Sequence, residues 1–165
     1  MKSLNRRDFL KLFGAVSAMS LLPRTVSAQT VAPRVVVIGG GFGGATVAKY
    51  LRMWGGNVQV TLVDPNAAHI SCVLSNLVVT GALSMTRITL GYSSLVTNHG
   101  VEILQGTALA VDPAGGKVTV GTASGNVDLE YDHLVLAPGI DFAPAPGLWD
   151  PNLTPHAWKA GPQTT

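Results

Sequence analysis

Arg34-Val35-Val36-Val37-Ile38 runs without interruption into Gly39-Gly40-Gly41-Phe42-Gly43-Gly44-Ala45. The first five residues have the β-branched, apolar composition of a strand buried on both faces. The glycines then fall at the spacing G-x-G-x-x-G, as Gly39, Gly41 and Gly44. Each has a physical task. Gly39 permits a tight turn, Gly41 lets the backbone approach a pyrophosphate, and Gly44 lets a helix pack close to the strand. A helix is predicted from about Gly43 to Trp54, with Gly44, Val47, Ala48 and Leu51 on one face and Gly55-Gly56 as its end. Its N-terminal amides and dipole favour a phosphate anion.

A glycine pattern alone is weak, but its surroundings add to it. A second strand, Val58 to Val63, ends in Asp64, twenty residues after Gly44. A carboxylate there hydrogen-bonds the ribose hydroxyls of an adenine dinucleotide. It would also repel a 2′-phosphate, which disfavours NADP.

The chain then departs from an alternating helix-and-strand pattern. Val101 to Gly106 reads as a third strand, and Ala108 to Asp112 follows in extended form. Lys117–Val120 and Asn126–Glu130 alternate apolar and polar residues around the turns Gly115-Gly116 and Ser124-Gly125. Tyr131 to Ala137 returns to a buried strand and closes on Pro138-Gly139. The expected fold class is therefore α/β, with a small antiparallel β-meander inserted in the crossover. This order resembles the FAD half of the glutathione reductase type of flavoprotein, whose Rossmann-like domain brings an Ala-Pro-Gly turn near the flavin nucleotide. The resemblance places Ala137, Pro138 and Gly139 beside the cofactor. Gly43 and Ala108 are counted with these cofactor contacts.

Charge is unevenly distributed. Residues 1–28 hold five of the eleven Lys and Arg but only one of the nine acids, Asp8, so the remaining 137 residues carry a net charge of −2. That leaves no electrostatic footprint for nucleic acid. The same first 28 residues read as an export signal: a charged stretch Asn5 to Lys11, uncharged Leu12 to Leu22, and Val26-Ser27-Ala28 before a cleavage point. Eleven residues span roughly 16 Å as a helix, too short for a hydrocarbon core of about 30 Å. No membrane span is expected. Arg6-Arg7 followed by Phe9-Leu10-Lys11 resembles the twin-arginine motif. That resemblance implies a periplasmic protein exported folded, with its cofactor loaded.

Cys72 is the one cysteine in the chain. A free thiol is often a small buried hydrophobe, yet in an oxidising compartment it is a liability unless shielded or used. It lies eight residues beyond Asp64, a reach of at most roughly 28 Å, which covers the distance from the ribose to the ring of an extended FAD. In the disulfide reductases that resemble this fold, a second cysteine follows five residues later, where this chain has Leu77. Two uses are left for a thiol beside a flavin, nucleophile or covalent tether.

Val35–Tyr50, Val60–Asn66, Cys72–Asn76, Tyr131–Ile140 and Pro155–Gly161 resemble the flavoprotein subunit of the flavocytochrome c sulfide dehydrogenases. The resemblance runs from about Arg34 to the final residue. It implies that Cys72 carries FAD covalently. It further implies sulfide or a related reduced sulfur compound as substrate, and a haem-bearing cytochrome c subunit as electron acceptor. Where the family usually has Glu at the end of the second strand, this chain has Asp64, shorter by one methylene.

The family's redox disulfide comes from two cysteines further along, so no catalytic residue is expected in this segment. The chain is expected to be an N-terminal piece of a longer protein, incomplete at its C-terminus. Its expected parts are the signal in 1–28, the FAD-binding portion in 29–148, and a linker bearing Trp149 and Trp158 in 149–165. Alone, it is expected neither to fold well nor to turn over substrate. His69, His99, His133 and His156 match no metal-ligand spacing, and Asp132 is expected only to satisfy backbone groups. Two rival readings stand beside the sulfide dehydrogenase: another FAD-dependent oxidoreductase, quinone-reducing or NADH-dependent, and an inactive truncated FAD-binding module.

Overall fold

The computed structural model describes residues 31–140. The signal read in 1–28 and the linker read in 149–165, with His156 and both its tryptophans, lie outside the described residues. The described chain opens with β1 (Arg34–Ile38), α1 (Phe42–Trp54) and β2 (Gln59–Asp64), the strand–helix–strand unit that the glycine pattern demands. α1 begins one residue earlier than its periodicity predicts. The Gly55 N–H caps it by donating to the Leu51 carbonyl at 2.8 Å.

A short ribbon and three short helices follow, none of which the sequence patterning delimits. β3 (Ala68–Ile70) pairs antiparallel with β4 (Thr89–Gly91), His69 opposite Leu90. Between them lie α2 (Ser75–Val79) and α3 (Met85–Ile88), whose Val78 and Ile88 form a small core of their own with Leu83 and Met85. α4 (Ser93–His99) ends on Gly100 and leads into β5 (Glu102–Gln105). The meander is β6 (Thr107–Asp112), β7 (Lys117–Thr122) and β8 (Gly125–Glu130), and β9 (His133–Leu136) closes the described elements.

β1, β2, β5 and β9 form one parallel sheet in the order β5-β2-β1-β9. The chain therefore leaves β1 toward one side and comes back to its other side at β9. In open α/β sheets, such a reversal opens a crevice at the carboxyl ends of the strands, and that is where ligands bind.

Side-chain alternation divides the core into two. Val35 and Val37 of β1 and Val60 and Leu62 of β2 face Ala48 of α1, together with Tyr92 and Val101. Val36 and Val63 face the other way, onto Val118 and Val120 of the meander. The three layers are thus helices, parallel sheet and meander, and each buried Val or Leu contributes about 1.5–3 kcal/mol. β1 is buried on both faces, as its composition predicts. β9 is not: among the described residues it lies at the sheet edge, and Leu136 is 65% exposed. The composition of Leu134 to Leu136 suggested burial, but an edge strand has a neighbour on one side only.

The meander carries a bulge at Leu109, where the β6–β7 register skips between Ala108 and Ala110. At the foot of the sheet, the Arg34 N–H donates to Asp132 Oδ2 at 2.7 Å and the Arg34 guanidinium pairs with Glu130 at 2.7 Å. Asp132 therefore satisfies a backbone group, as expected, and also pairs with the Arg34 side chain at 3.4 Å. Among the described residues, no helix is long and apolar enough to cross a membrane.

A candidate dinucleotide cavity at the end of the parallel sheet

The turn after β1 is closed by two requirements for glycine. Gly39 sits at φ +100°, and a Cβ on it would stand 2.1 Å from the Ala137 carbonyl oxygen. A Cβ on Gly44 would stand 1.8 Å from the Gly39 carbonyl oxygen. These glycines hold the β1 turn against the end of β9 and the first turn of α1 against that turn. Gly41 differs: the nearest atom to a Cβ there is His69 Cε1, at 3.7 Å. Its open face belongs to a cavity.

That cavity measures 460 Å³ and is lined by Gly39, Gly41, Phe42, Gly43, Asp64, Asn66, His69, Cys72 and the turn Ala137-Pro138-Gly139, among others. It brings together eight residues that the sequence singles out: Gly39, Gly41, Gly43, Asp64, Cys72, Ala137, Pro138 and Gly139. Gly44 lies behind the wall, buried, in its packing role. Ala108 is not brought there. Its side chain packs on β6 against the core of Val118 and Val120.

A larger hollow of 690 Å³ lies elsewhere, between Pro65, Gln105 and the β7–β8 turn. It carries neither the glycine turn nor Cys72. Volume therefore does not choose the site; the chemistry of the lining does.

Asp64 is 9% exposed and holds the turn in place. Its Oδ2 accepts the Gly40 N–H at 2.7 Å, and its Oδ1 accepts the Asn66 N–H at 2.8 Å and Asn66 Nδ2 at 3.2 Å. A carboxylate has about four lone-pair sites, so Asp64 keeps capacity for ribose hydroxyls. α1 begins without a side-chain cap and without an acid in its first turn. Its first helical bond runs from the Ala45 N–H to the Gly41 carbonyl at 3.0 Å, and the amides before Ala45 have no partner inside the helix. An uncapped helix start, an open glycine face and a ribose-ready carboxylate on one cavity fit a dinucleotide.

Cys72 follows the ribbon strand β3 and is half-buried on the same cavity. Its surroundings are pinned by Ser71, whose N–H donates to the Ile88 carbonyl at 2.8 Å and whose Oγ accepts the Val73 N–H at 3.1 Å. Leu74, two residues on, has φ +69°, a left-handed conformation shared by no other non-glycine among the described residues.

Three residues at the site escaped the sequence reading. Asn66 had a local signal, since it stands two residues after an Asp at a strand end. His69 and Tyr92 had none, because only the β3–β4 pairing brings them to the glycine turn. Tyr92 is 7% exposed, and its phenol is pushed up to about 12, first by burial and then by the charge of Asp64.

The fold and the cavity define a dinucleotide-binding domain of the two-fold-wound flavoprotein kind. Residues 33–159 match the family of pyridine nucleotide-disulphide oxidoreductases. The chain belongs to that family, which implies a flavin dinucleotide, FAD, as its cofactor.

Among its relatives, the sulfide dehydrogenase [flavocytochrome c] flavoprotein chain of Chlorobaculum thiosulfatiphilum is 58% identical over 45 residues, covering 27% of this chain and 94% of that sequence. Ferroptosis suppressor protein 1 of Taeniopygia guttata is 39% identical over 119 residues, covering 71% of this chain and 29% of that protein. Among solved structures, the sulfide:quinone oxidoreductase of Aquifex aeolicus superposes with a TM-score of 0.62 at 29% identity, over 68% of this chain and 25% of that one. This chain thus spans between a quarter and three tenths of the length of the latter two.

Proposed function

We infer that this chain forms the FAD-binding part of an exported sulfide dehydrogenase flavoprotein. The observation that carries the reading is the position of Cys72 on the same cavity as Gly39, Gly41 and Asp64. The short stretch of 58% identity to a sulfide dehydrogenase flavoprotein supports the substrate class. When bound, FAD supplies two-electron acceptance from a sulfur donor and one-electron delivery to a haem.

The chain's own residues bind and orient. The amides at the start of α1 and the open face of Gly41 would receive the pyrophosphate, Asp64 would take the ribose hydroxyls, and the Cys72 thiol would be the attachment point for the ring. The Ala137-Pro138-Gly139 turn forms the facing wall. The substrate is sulfide or a related reduced sulfur compound, and a haem-bearing cytochrome c subunit accepts the electrons. Export by the twin-arginine route, with cleavage after Ala28, delivers the loaded protein to the periplasm.

Acid precipitation of the native protein tests this directly. The expected result is yellow colour held in the pellet, a flavin mass on the peptide containing Cys72, and a mature N-terminus at Gln29. Flavin released to the supernatant, with sulfide-dependent quinone reduction in place of cytochrome c reduction, would replace the reading by the quinone-reducing one. A colourless protein would leave only a binding fold.

A further inference from the structure

Two buried polar atoms near the glycine turn have no hydrogen-bond partner: the Tyr92 hydroxyl and His69 Nε2. Both residues line one small cavity of 150 Å³, together with Gly40, Gly41 and Thr46. Leaving a buried hydroxyl unsatisfied costs about 1–3 kcal/mol. Phenylalanine would fill nearly the same volume at position 92 without that cost. Gly40 in turn accommodates the hydroxyl, since a Cβ there would stand 2.2 Å from it. The polar atom is sterically provided for and yet unused.

His69 stands between the two cavities, lining both. Its ring is held by Phe42, edge to face, with centroids 5.0 Å apart. The Cε1–Nδ1 edge lies 3.7 and 3.9 Å from the position of a Gly41 Cβ, so it borders the open face of the turn. A neutral imidazole has one donor and one acceptor nitrogen, and the hydrogen bond made by one nitrogen decides where the proton sits on the other. Burial and Asp64 keep Tyr92 a neutral phenol, which has a proton to donate.

We propose that Tyr92 and His69 are a coupled pair. The Tyr92 hydroxyl donates to a water in the small cavity that in turn donates to His69 Nε2, and so fixes the proton on Nδ1. The Nδ1–H then donates over Gly41 to a phosphate oxygen of the bound dinucleotide. His69 is a binding residue here, and Tyr92 a positioning residue acting through it. The pair rests on the reading of the larger cavity as the FAD site.

The test uses the full-length protein with Cys72→Ser, in which flavin binding is reversible whether or not Cys72 is a tether. The 15N shifts of the His69 imidazole report its tautomer, the 31P shifts of bound FAD report its phosphates, and titration gives the FAD affinity. The expected tautomer is Nδ1–H, lost to a mixture in Tyr92→Phe. His69→Phe and Tyr92→Phe should each weaken FAD about tenfold, the effect of one hydrogen bond, and the double variant no further than His69→Phe alone. An Nε2–H tautomer in the parent, or unchanged affinity and 31P shifts in His69→Phe, overturns the pair while the FAD site stands. Failure of both the unsubstituted protein and the Cys72→Ser parent to bind FAD overturns both.

Discussion

Gly39 and Ala137 are 98 residues apart in sequence, yet a Cβ on the first would stand 2.1 Å from the carbonyl oxygen of the second. The glycine turn is built by the contact of two strand ends, β1 and β9, and its glycines divide into those that leave no room for a side chain and one, Gly41, that faces open space.

Alanine substitutions should separate the two kinds. Gly39→Ala meets both a left-handed φ and a backbone clash, and should cost at least about 2 kcal/mol of stability. Gly44→Ala, with its Cβ 1.8 Å from a carbonyl oxygen, should behave alike. Gly41→Ala has room, so the fold should keep its denaturant midpoint while dinucleotide binding falls. Urea unfolding alongside FAD titration checks all three.

Asp64→Asn tests the carboxylate as a double acceptor. Asparagine offers one acceptor oxygen, whereas both oxygens of Asp64 receive N–H groups, from Gly40 and Asn66. One of those donors would be left facing an amide NH₂, at a cost of about 1–3 kcal/mol. Thermal unfolding should show the loss without any ligand, and FAD affinity should drop with it.

The ion pairs at the foot of the sheet give an acid-side prediction. The Arg34 side chain lowers the Glu130 carboxyl below its ordinary 4.5, and the Arg34 backbone N–H followed by its side chain lowers Asp132 below 3.8. Carboxylates with depressed folded values stabilise the fold above their ordinary range and lose that contribution as pH falls through the folded values. Stability measured between pH 5 and 2 should therefore fall less steeply in Arg34→Gln than in the parent. The difference should shrink in high salt, because all three side chains are exposed.

Tyr92 gives the alkaline counterpart. Its folded value near 12 exceeds the ordinary 10.0, so the folded state holds a proton that the unfolded chain releases. The associated stability is complete below pH 10 and is lost as pH rises through about 12. Denaturant titrations over that window should show this loss in the parent and its reduction in Tyr92→Phe. Tyrosinate absorbance should show a late-titrating phenol that is absent in Tyr92→Phe.

Strong periodicity and unusual residues were legible in the sequence. Val35 to Val37 announced a strand buried on both faces, the glycine spacing announced turn and helix, and alternation around Gly115-Gly116 and Ser124-Gly125 announced the meander. Asp64, Cys72 and Pro138 were each chosen for different reasons and share a cavity. The ribbon of β3 and β4 was not legible, since strands of three residues carry no period. Tyr92 and His69 matter through an unpaired hydroxyl and an unpaired nitrogen, a property of tertiary neighbours that no local pattern encodes. The exposure of Leu136 was misread for a related reason: composition reports a strand's type, and its place in the sheet order decides how much of it is covered.

The placement of β9 beside β1 also governs the order of events during folding. β1, α1 and β2 are near neighbours in the chain and can associate early, but β9 must close a loop that includes the whole meander. Closing so long a loop is entropically costly and delays the contact relative to local ones. The wall formed by Ala137, Pro138 and Gly139 thus arrives after the glycine turn that it backs. A nascent chain that has folded only as far as β5 has the glycine turn but no backing for it, so the cavity's shape is tied to the docking of the fourth parallel strand.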